Sequence, residues 1–265
     1  MSTDDAPTGT TDLSGVSPPP DRVGLLEGIS STRAIRRYTD DRVPDEALRD
    51  ILFAATRAPT GSNRQQFRFI VLTDGPKAVE AKKLIAGAAR SAWGFKRGND
   101  KYDEGSGAVA NSPKARMAAT MQAYADGFER VPVVILPCLI RYREANSFEG
   151  ASIYPSCQNI LLAARAIGYG GVLNGFHFLV EAELRELLGV PDEVFMAATI
   201  TLGKPQGSHG PVRRRPMSEL VFADEWGAAP AWAADPPGTT HTSAGPPKPV
   251  DPNGGPTIDP TQKGN

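Results

Sequence analysis

The chain has 265 residues, a formal net charge of -1, 22% charged residues and 40% hydrophobic residues. This composition is ordinary for a soluble globular protein, and the near-neutral charge gives no overall field that would recruit nucleic acid or an anionic membrane. No apolar run approaches the roughly 20 residues that cross a bilayer. The acidic N-terminus lacks the basic start and apolar stretch of a secretory signal. We therefore expect a cytoplasmic protein without a membrane or nucleic-acid partner.

Cysteine usage and composition together predict the domain organisation. Cys138 and Cys157 each lie in an apolar segment, so we expect buried hydrophobic side chains and neither a disulfide framework nor a zinc site. Residues 1–21 and 228–265 are rich in Pro, Gly, Thr and Asp, a composition that cannot bury enough apolar surface to fold. The prediction is one folded domain over residues 22–227 between two disordered tails.

The N-terminal half of this domain alternates between helical and strand-like periodicity. Val43-Pro44-Asp45-Glu46 opens a helix, because proline suits the first turn and acidic side chains suit its positive end. The apolar residues that follow keep the i, i+3, i+4 spacing of a helix. Beyond it we predict a strand over 67–73, helices over 76–91 and 113–130, and a mobile loop over 98–112.

The C-terminal half adds three strands and two helices. Residues 131–140 form the longest apolar run and are predicted to be a buried strand in spite of two prolines. A buried helix over 157–167 ends at Gly168, and a helix over 181–188 ends at Gly189. The remaining predicted strands cover 171–175 and 194–202. Few central strands among many helices predict an α+β fold with one small mixed sheet covered by helices.

The sequence contains almost none of the common catalytic or metal-binding motifs. The three histidines, His177, His209 and His241, have no metal-ligand spacing, and His177 between two phenylalanines favours a structural role or a place in a pocket wall over proton transfer. There is no GxSxG, Walker A or GxGxxG motif, and the glycines at 168–171 follow a helix and enter a strand, the wrong order for a dinucleotide fingerprint. An enzyme with this sequence would therefore rely on a cofactor for its reactive atoms.

Three separate segments carry an informative pattern. In Thr32–Tyr38, arginines three apart at a helix end can fork onto one phosphate, each contact contributing about 1.5–3 kcal/mol, although such clusters usually face solvent. Ala58–Phe67 packs short polar groups into a turn that suits a polar heterocycle, or is simply a capped turn. Arg213–Val221 is a second basic cluster after the last strand.

In this order and spacing the three segments resemble the nitroreductase family of FMN flavoproteins. That family has R-S-x-R-x-F/Y near its start, A-P-S-x-x-N-x-Q-P-W before the first strand, and a basic-Pro cluster before a C-terminal extension. Asn159–Gly170 is similar to the family's central helix and its exit, and Val172–Phe176 to its flavin-edge strand. The resemblance covers nearly all of residues 25–226.

The resemblance implies an intertwined homodimer with two FMN molecules at its interface and a C-terminal extension that wraps the partner. It implies that the FMN phosphate is held within the segment Arg33, Ala34, Ile35, Arg36 and Arg37, chiefly by Arg33 and Arg36, together with Arg214 and Arg213. It implies that the partner chain contributes Pro59, Thr60, Gly61, Asn63 and, near the flavin edge, Gln65. It implies backbone donors to flavin N5 and the neighbouring carbonyl from Leu173, Asn174 and Gly175.

Two departures from the family pattern bear on individual sites. The family serine between the first arginines is Ala34, which removes one phosphate hydrogen bond, and the usual Pro-Trp is Gln66-Phe67. We expect the pocket roof to come from residues 90–130, through Trp93, Phe95, Tyr124 or Phe128.

The function that the resemblance implies is an FMN-dependent NAD(P)H oxidoreductase with ping-pong kinetics, a small nitroaromatic or quinone acceptor and no catalytic side chain. Three alternatives stay open: a flavin-binding or storage protein, a relative that consumes its own flavin, and a cofactor-free protein whose basic clusters bind acidic partners or nucleic acid. Independently, the apolar segment 217–232 has nothing left in its own chain to pack on, which predicts a dimer interface.

Overall fold

The computed structural model describes residues 22–207, 209–210 and 212–242. The predicted N-terminal tail and residues 243–265 of the predicted C-terminal tail lie outside the described residues. Within 228–242 the chain makes defined contacts: the backbone N–H of Met217 donates to the Asp235 carboxylate at 2.9 Å, and Ala233 is buried. The described part of the predicted tail is thus held against the segment before it, and the domain boundaries stay a prediction.

Six α-helices occur in the described part of the chain: α1 Leu25–Ser31, α2 Asp45–Ala55, α3 Pro76–Asn99, α4 Pro113–Asp126, α5 Tyr154–Ala166 and α6 Glu181–Leu188. Proline stands in the first turn of α3, α4 and α5, where its missing N–H costs no hydrogen bond. The Ser112 hydroxyl caps α4 by accepting from the N–H of Ala115 at 3.0 Å. Gly168 and Gly189 end α5 and α6 with φ of 92° and 68°, which confirms both predicted ends.

Five strands form one sheet: β1 Phe67–Leu72, β2 Val133–Ile140, β3 Gly170–Asn174, β4 Val194–Met196 and β5 Thr199–Gly203. The order is β1-β2-β5-β3, with β4 pairing to β2 beyond the end of β5. Every ladder among the described residues is antiparallel, so the α+β class is confirmed and the expectation of a mixed sheet is corrected. Strand direction depends on how long connections return to the sheet, which local periodicity does not encode.

The strand predicted over 194–202 is divided into β4 and β5 by a proline in the neighbouring strand. Ile135 pairs with Ile200 and Cys138 pairs with Met196, and Pro137 lies between these two pairings. Pro137 has no N–H to give to the ladder, so the pairing is interrupted there. Its carbonyl still accepts from the N–H of Ala197 at 2.8 Å.

Hydrophobic clusters cover both faces of the sheet. Neighbouring residues of β2 point to opposite faces, so Leu136 packs with α3 and α6 while Ile135 packs with α2 and α5. Cys138 and Cys157 are buried, one in each cluster, which confirms their predicted hydrophobic role. Burial raises the pKa of Cys138 to about 11 and that of Cys157 to about 12, so both stay thiols near neutral pH. Among the described residues, no helix is both long and apolar enough to cross a membrane.

Candidate functional site

A cavity of about 340 Å³ lies beside the C-terminal end of β3. Its walls come from α3, α4, the loop between them, β3 and the first arginine segment. We call it the ring cavity, and its lining is Arg36, Trp93, Lys96, Tyr102, Met117, Met121, Tyr124, Asn174 and Phe176. Two of the predicted site residues from segments far apart in the chain, Arg36 and Asn174, therefore meet at one place.

Hydrogen bonds between buried groups form the inner wall of the ring cavity. The Asn174 amide Nδ2 donates to Tyr124 Oη at 3.2 Å, and Tyr124 Oη lies 2.9 Å from Thr201 Oγ1. Thr201 Oγ1 lies 2.8 Å from Tyr38 Oη, which donates to the carbonyl of Ile35 at 2.5 Å. We call these bonds the Tyr124–Thr201–Tyr38 chain. It connects the end of β3 to the backbone of the arginine segment.

The two ends of this chain determine the direction of every bond in it. The Ile35 carbonyl can only accept, so Tyr38 donates to it, Thr201 donates to Tyr38, and Tyr124 donates to Thr201. At the other end Asn174 Oδ1 accepts from a backbone N–H, at 3.1 Å, which turns the amide nitrogen toward Tyr124. Burial raises the pKa of both tyrosines, so the phenols stay protonated and the orientation of Asn174 is fixed.

Two cationic side chains and the amide of Asn174 are the polar groups of a lining that is otherwise aromatic and thioether in character. Arg36 is half-buried and has no hydrogen-bond or ion-pair partner within the described ranges. Lys96 is ion-paired with Asp100 at 2.5 Å, and its side chain is 59% exposed, so it stands on the open side of the cavity. Sequence reasoning missed Lys96, although it lies three residues after Trp93 and hence on the same face of α3.

Arg33 lines a different cavity, of about 310 Å³, with Arg165 and His209. Its Nη1 donates to the carbonyl of Gly210 at 2.7 Å. Burial lowers the pKa of His209, and the nearby charges of Arg37 and Arg33 lower it further. Residues 32–38 are not helical, and side chains three apart on an extended chain point to opposite sides, which separates Arg33 from Arg36.

The second basic cluster lies in neither of these cavities. The Arg214 guanidinium donates to the carbonyl of Arg213 at 2.9 Å, and the backbone of Arg214 forms an isolated bridge with His241. Ala34 and Arg37 are exposed. A single phosphate held jointly by the two basic clusters therefore stays a prediction.

The segment 59–65 has a strained backbone. Three residues that are not glycine have φ in the left-handed region: Ser62 at 52°, Asn63 at 51° and Gln65 at 50°. Such residues cost on the order of 1–3 kcal/mol each and concentrate at functional sites. Bonds to two hydroxyl groups help to hold the conformation: the N–H of Gly61 donates to Ser152 Oγ at 3.1 Å, and the N–H of Gln65 donates to Thr60 Oγ1 at 3.0 Å.

This segment, which we call the left-handed loop, contributes no residue to the ring cavity. Pro59, Gly61, Asn63 and Gln65 are exposed. Next to it, Oε1 of Gln66 is buried without a hydrogen-bond partner among the described residues, at the position where the family pattern has proline. Apart from the phosphate candidates Arg33, Arg213 and Arg214, the predicted site residues thus include a group around the ring cavity and an exposed group on this loop.

Of the four residues predicted to form the pocket roof, two line the ring cavity and two do not. Trp93 and Tyr124 line the ring cavity, whereas Phe95 is 42% exposed and does not. Phe128 is fully buried and packs on Tyr124 with ring centroids 5.5 Å apart, so it supports the wall from behind. On β3 and just after it, Leu173 is 40% exposed, and a Cβ on Gly175 would lie 3.0 Å from the Phe178 ring.

His177 has the structural role that was predicted for it. It is fully buried, with Nδ1 3.0 Å from Thr199 Oγ1 and Nε2 2.9 Å from the carbonyl of Met196. Burial lowers its pKa, so the ring is neutral near pH 7. No group of three or more His, Cys, Asp or Glu side chains within the described ranges is arranged to hold a metal ion.

Known proteins resemble this chain in sequence and in fold. The family model described as the nitroreductase family matches residues 29–204. A protein of Archaeoglobus fulgidus described as an NADH dehydrogenase/NAD(P)H nitroreductase is 28% identical over 183 residues, 68% of this chain and 85% of its own length. An NADPH-flavin oxidoreductase of Vibrio harveyi is 24% identical over 201 residues, 76% of this chain and 74% of its own length.

A solved structure has the same fold and a higher identity. It is a nitroreductase from Desulfovibrio desulfuricans in complex with FMN, 30% identical, covering 76% of this chain and 96% of its own, with a TM-score of 0.55. The family model covers well over half of the chain, and its match runs from the end of α1 to the end of β5. The chain belongs to the nitroreductase family.

Proposed function

We propose that this chain is an FMN-dependent oxidoreductase that takes hydride from NAD(P)H and passes it to nitroaromatic or quinone-like acceptors in a ping-pong reaction. The observation that supports this proposal most is the ring cavity, where Arg36 and Asn174 from two distant motifs converge. Family relatives add to that support, since one is an NADPH-flavin oxidoreductase and another holds FMN in its solved structure.

The residues present fit a flavin. The lining combines flat aromatic and thioether walls, as at Trp93 and Met121, with two cations, as a planar heterocycle with a polar, electron-rich edge requires. Arg36 without a carboxylate partner is available to that edge, and the backbone at Asn174 and Gly175 would supply N–H donors. When bound, FMN supplies the atom that receives hydride from the nicotinamide and gives it to the acceptor.

In this proposal the protein binds, orients and shields, and no side chain exchanges a proton with the substrate. Arg36, which has no carboxylate partner among the described residues, puts positive charge into the lining, and this favours negative charge on a ligand there. The Tyr124–Thr201–Tyr38 chain holds Asn174 in one orientation. Trp93 and Tyr102, with ring centroids 5.1 Å apart, form an apolar wall that limits the access of water.

We propose further that the flavin site is completed by a second copy of the chain. Arg33, Arg213 and Arg214 would hold the phosphate, and the left-handed loop of the partner would contact the flavin. The segment 217–232 supports a dimer, because Trp226 is 93% exposed and Trp232 is 68% exposed. Apolar surface of this kind usually marks an interface.

The test is made on the full-length protein. We expect a yellow protein with one FMN per chain, whose visible absorbance bleaches under anaerobic NADPH or NADH and returns when a nitroaromatic is added. A colourless protein would overturn the FMN assignment. Stoichiometric FMN that no nicotinamide reduces would favour a storage protein, and flavin that is lost for good on reoxidation would favour a flavin-consuming relative.

A further inference from the structure

A larger cavity, of about 520 Å³, adjoins the ring cavity. The two share Arg36 and Tyr124 in their linings, so the guanidinium of Arg36 stands between them. The charged side chains of the larger cavity are Arg36, Arg37, Arg130 and Asp40. We call it the arginine cavity. The arginine segment brings two of these guanidiniums, and the turn between α4 and β2 brings the third.

The three guanidiniums have no carboxylate partner among the described residues, whereas seven other arginines do. Across the described residues, no hydrogen bond or ion pair is made by the side chains of Arg36, Arg37 or Arg130. Other arginines are ion-paired with a carboxylate: Arg42, Arg49, Arg90, Arg97, Arg141, Arg185 and Arg215. Three positive charges against the one carboxylate in the lining leave an excess that matches a phosphate ester carrying close to two negative charges.

We propose that the arginine cavity binds the 2′-phosphate of NADPH, which makes NADPH the preferred donor over NADH. This inference rests on the proposed function, because it needs a nicotinamide to react at the ring cavity. The phosphates of that donor must then lie outside the ring cavity, and the adjoining cavity is open, larger and cationic. Guanidinium forks match phosphate oxygens in a bidentate manner, so arginine suits this role better than lysine.

Two other phosphates have the same chemistry and must be distinguished. The FMN phosphate is predicted to lie chiefly with Arg33 and Arg36, joined by Arg214. Of these three residues only Arg36 lines the arginine cavity, whereas Arg33 lines the separate cavity with Arg165 and His209. The pyrophosphate is common to NADH and NADPH, so a site for it would not discriminate between the two donors. The residue that separates these cases is Arg130, which lies outside all the motifs and is exposed on a short turn, so its replacement leaves the core intact.

The experiment compares Arg130→Gln with the parent and with Arg49→Gln, a matched control whose side chain is 71% exposed on α2 and lines neither cavity. For Arg130→Gln we expect kcat/KM for NADPH to fall about 10-fold or more, as for one lost charge-assisted phosphate contact. We expect the value for NADH to change less than 2-fold and FMN content to stay at the parent's level. An equal fall for both donors, a loss of FMN, or no change at all would each overturn the proposal.

A binding measurement keeps the inference separate from the proposed function. Adenosine 2′,5′-bisphosphate should bind the parent more tightly than AMP by calorimetry, and Arg130→Gln should remove most of the difference. This result does not depend on turnover. An active flavoprotein that binds both nucleotides with equal affinity would contradict the 2′-phosphate site and leave the proposed function unaffected. An inactive protein that binds adenosine 2′,5′-bisphosphate tightly would contradict the proposed function and leave the 2′-phosphate site supported.

Discussion

The ring cavity and the left-handed loop hold the two groups of predicted site residues in opposite ways. Around the ring cavity, Asn174 is tied to Ile35 through three hydroxyl groups, each with a defined donor and acceptor. The left-handed loop instead exposes three residues with positive φ, and its backbone hydrogen-bonds to Thr60 within the loop and to Ser152. Strained residues of this kind concentrate at functional sites. The contrast supports our proposal that each chain completes one wall of a site whose other wall belongs to its partner.

Removing the extension should have the largest effect on this arrangement. A chain truncated after Pro216 loses the exposed Trp226 and Trp232, which we infer to cover the partner. We expect a monomer with less than about a tenth of the parent's FMN, measured by sedimentation and by absorbance of the bound flavin. A truncated chain that remains a yellow dimer would contradict the interface assignment.

Arg33→Ala and Arg214→Ala test the phosphate end. Each change removes one charge-assisted contact of about 1.5–3 kcal/mol, which corresponds to a rise in the Kd for FMN of about 10- to 150-fold. Fluorescence titration of the flavin-free proteins measures that Kd. Full flavin content in both variants would show that these arginines do not hold the phosphate. Arg49→Gln is again the control.

Thr201→Val tests the ring-cavity side without changing its shape. The substitution removes the hydroxyl that accepts from Tyr124 and donates to Tyr38, so two buried phenols each lose a partner. We expect the free energy of unfolding to fall by about 1–3 kcal/mol and FMN binding to weaken, while the dimer persists. Thr120→Val removes a hydroxyl of α4 that only donates to the carbonyl of Arg116 within its own helix, and it should change neither quantity. A Thr201→Val protein with unchanged stability and normal FMN affinity would show that the Tyr124–Thr201–Tyr38 chain contributes to neither.

A smaller effect is expected from pH, and it arises at His177. Burial lowers the pKa of this histidine below its unfolded value near 6.5, so the unfolded chain takes up a proton first as the pH falls. The free energy of unfolding should therefore decrease from about pH 6.5 downward, by at most about 1.4 kcal/mol per pH unit. Urea unfolding at several pH values measures the slope. His177→Gln should flatten it, and an unchanged slope in that variant would assign the pH dependence to other groups.

Local patterns predicted those parts of the fold that local forces determine. The apolar spacing in α2 and the glycines after α5 and α6 act within a few residues, so α2 and the ends of α5 and α6 were predicted correctly, although α5 begins at Tyr154, three residues before its predicted start. The division of β4 from β5 depends on Pro137 in the neighbouring strand, which no local pattern of residues 194–202 contains. Strand direction is equally non-local, and α3 continues through Gly94 and Gly98 to Asn99 because its packing outweighs glycine's weak helix propensity.

The candidate site follows the same division. Arg36 and Asn174 could be named from motifs, and the ring cavity brings them together. Lys96 and Arg130 belong to no motif. They line the cavities only because α3 and the α4–β2 turn pack close to the arginine segment in the folded chain. The role of Thr201 was equally hidden, because a threonine in a buried strand has no sequence signal that identifies its two tyrosine partners.

The central claim is that one flavin site is built from two chains, and subunit complementation tests it most directly. One chain carries Arg36→Ala, and the other has alanine at all of residues 60–63; each should bind little FMN as a homodimer. In the mixed dimer one site combines the intact Arg36 of one chain with the intact loop of the other. We predict one FMN per mixed dimer, recovered by tandem affinity purification and measured by absorbance. A mixed dimer with no bound FMN would contradict the claim, because a site contained within one chain would then be damaged in both.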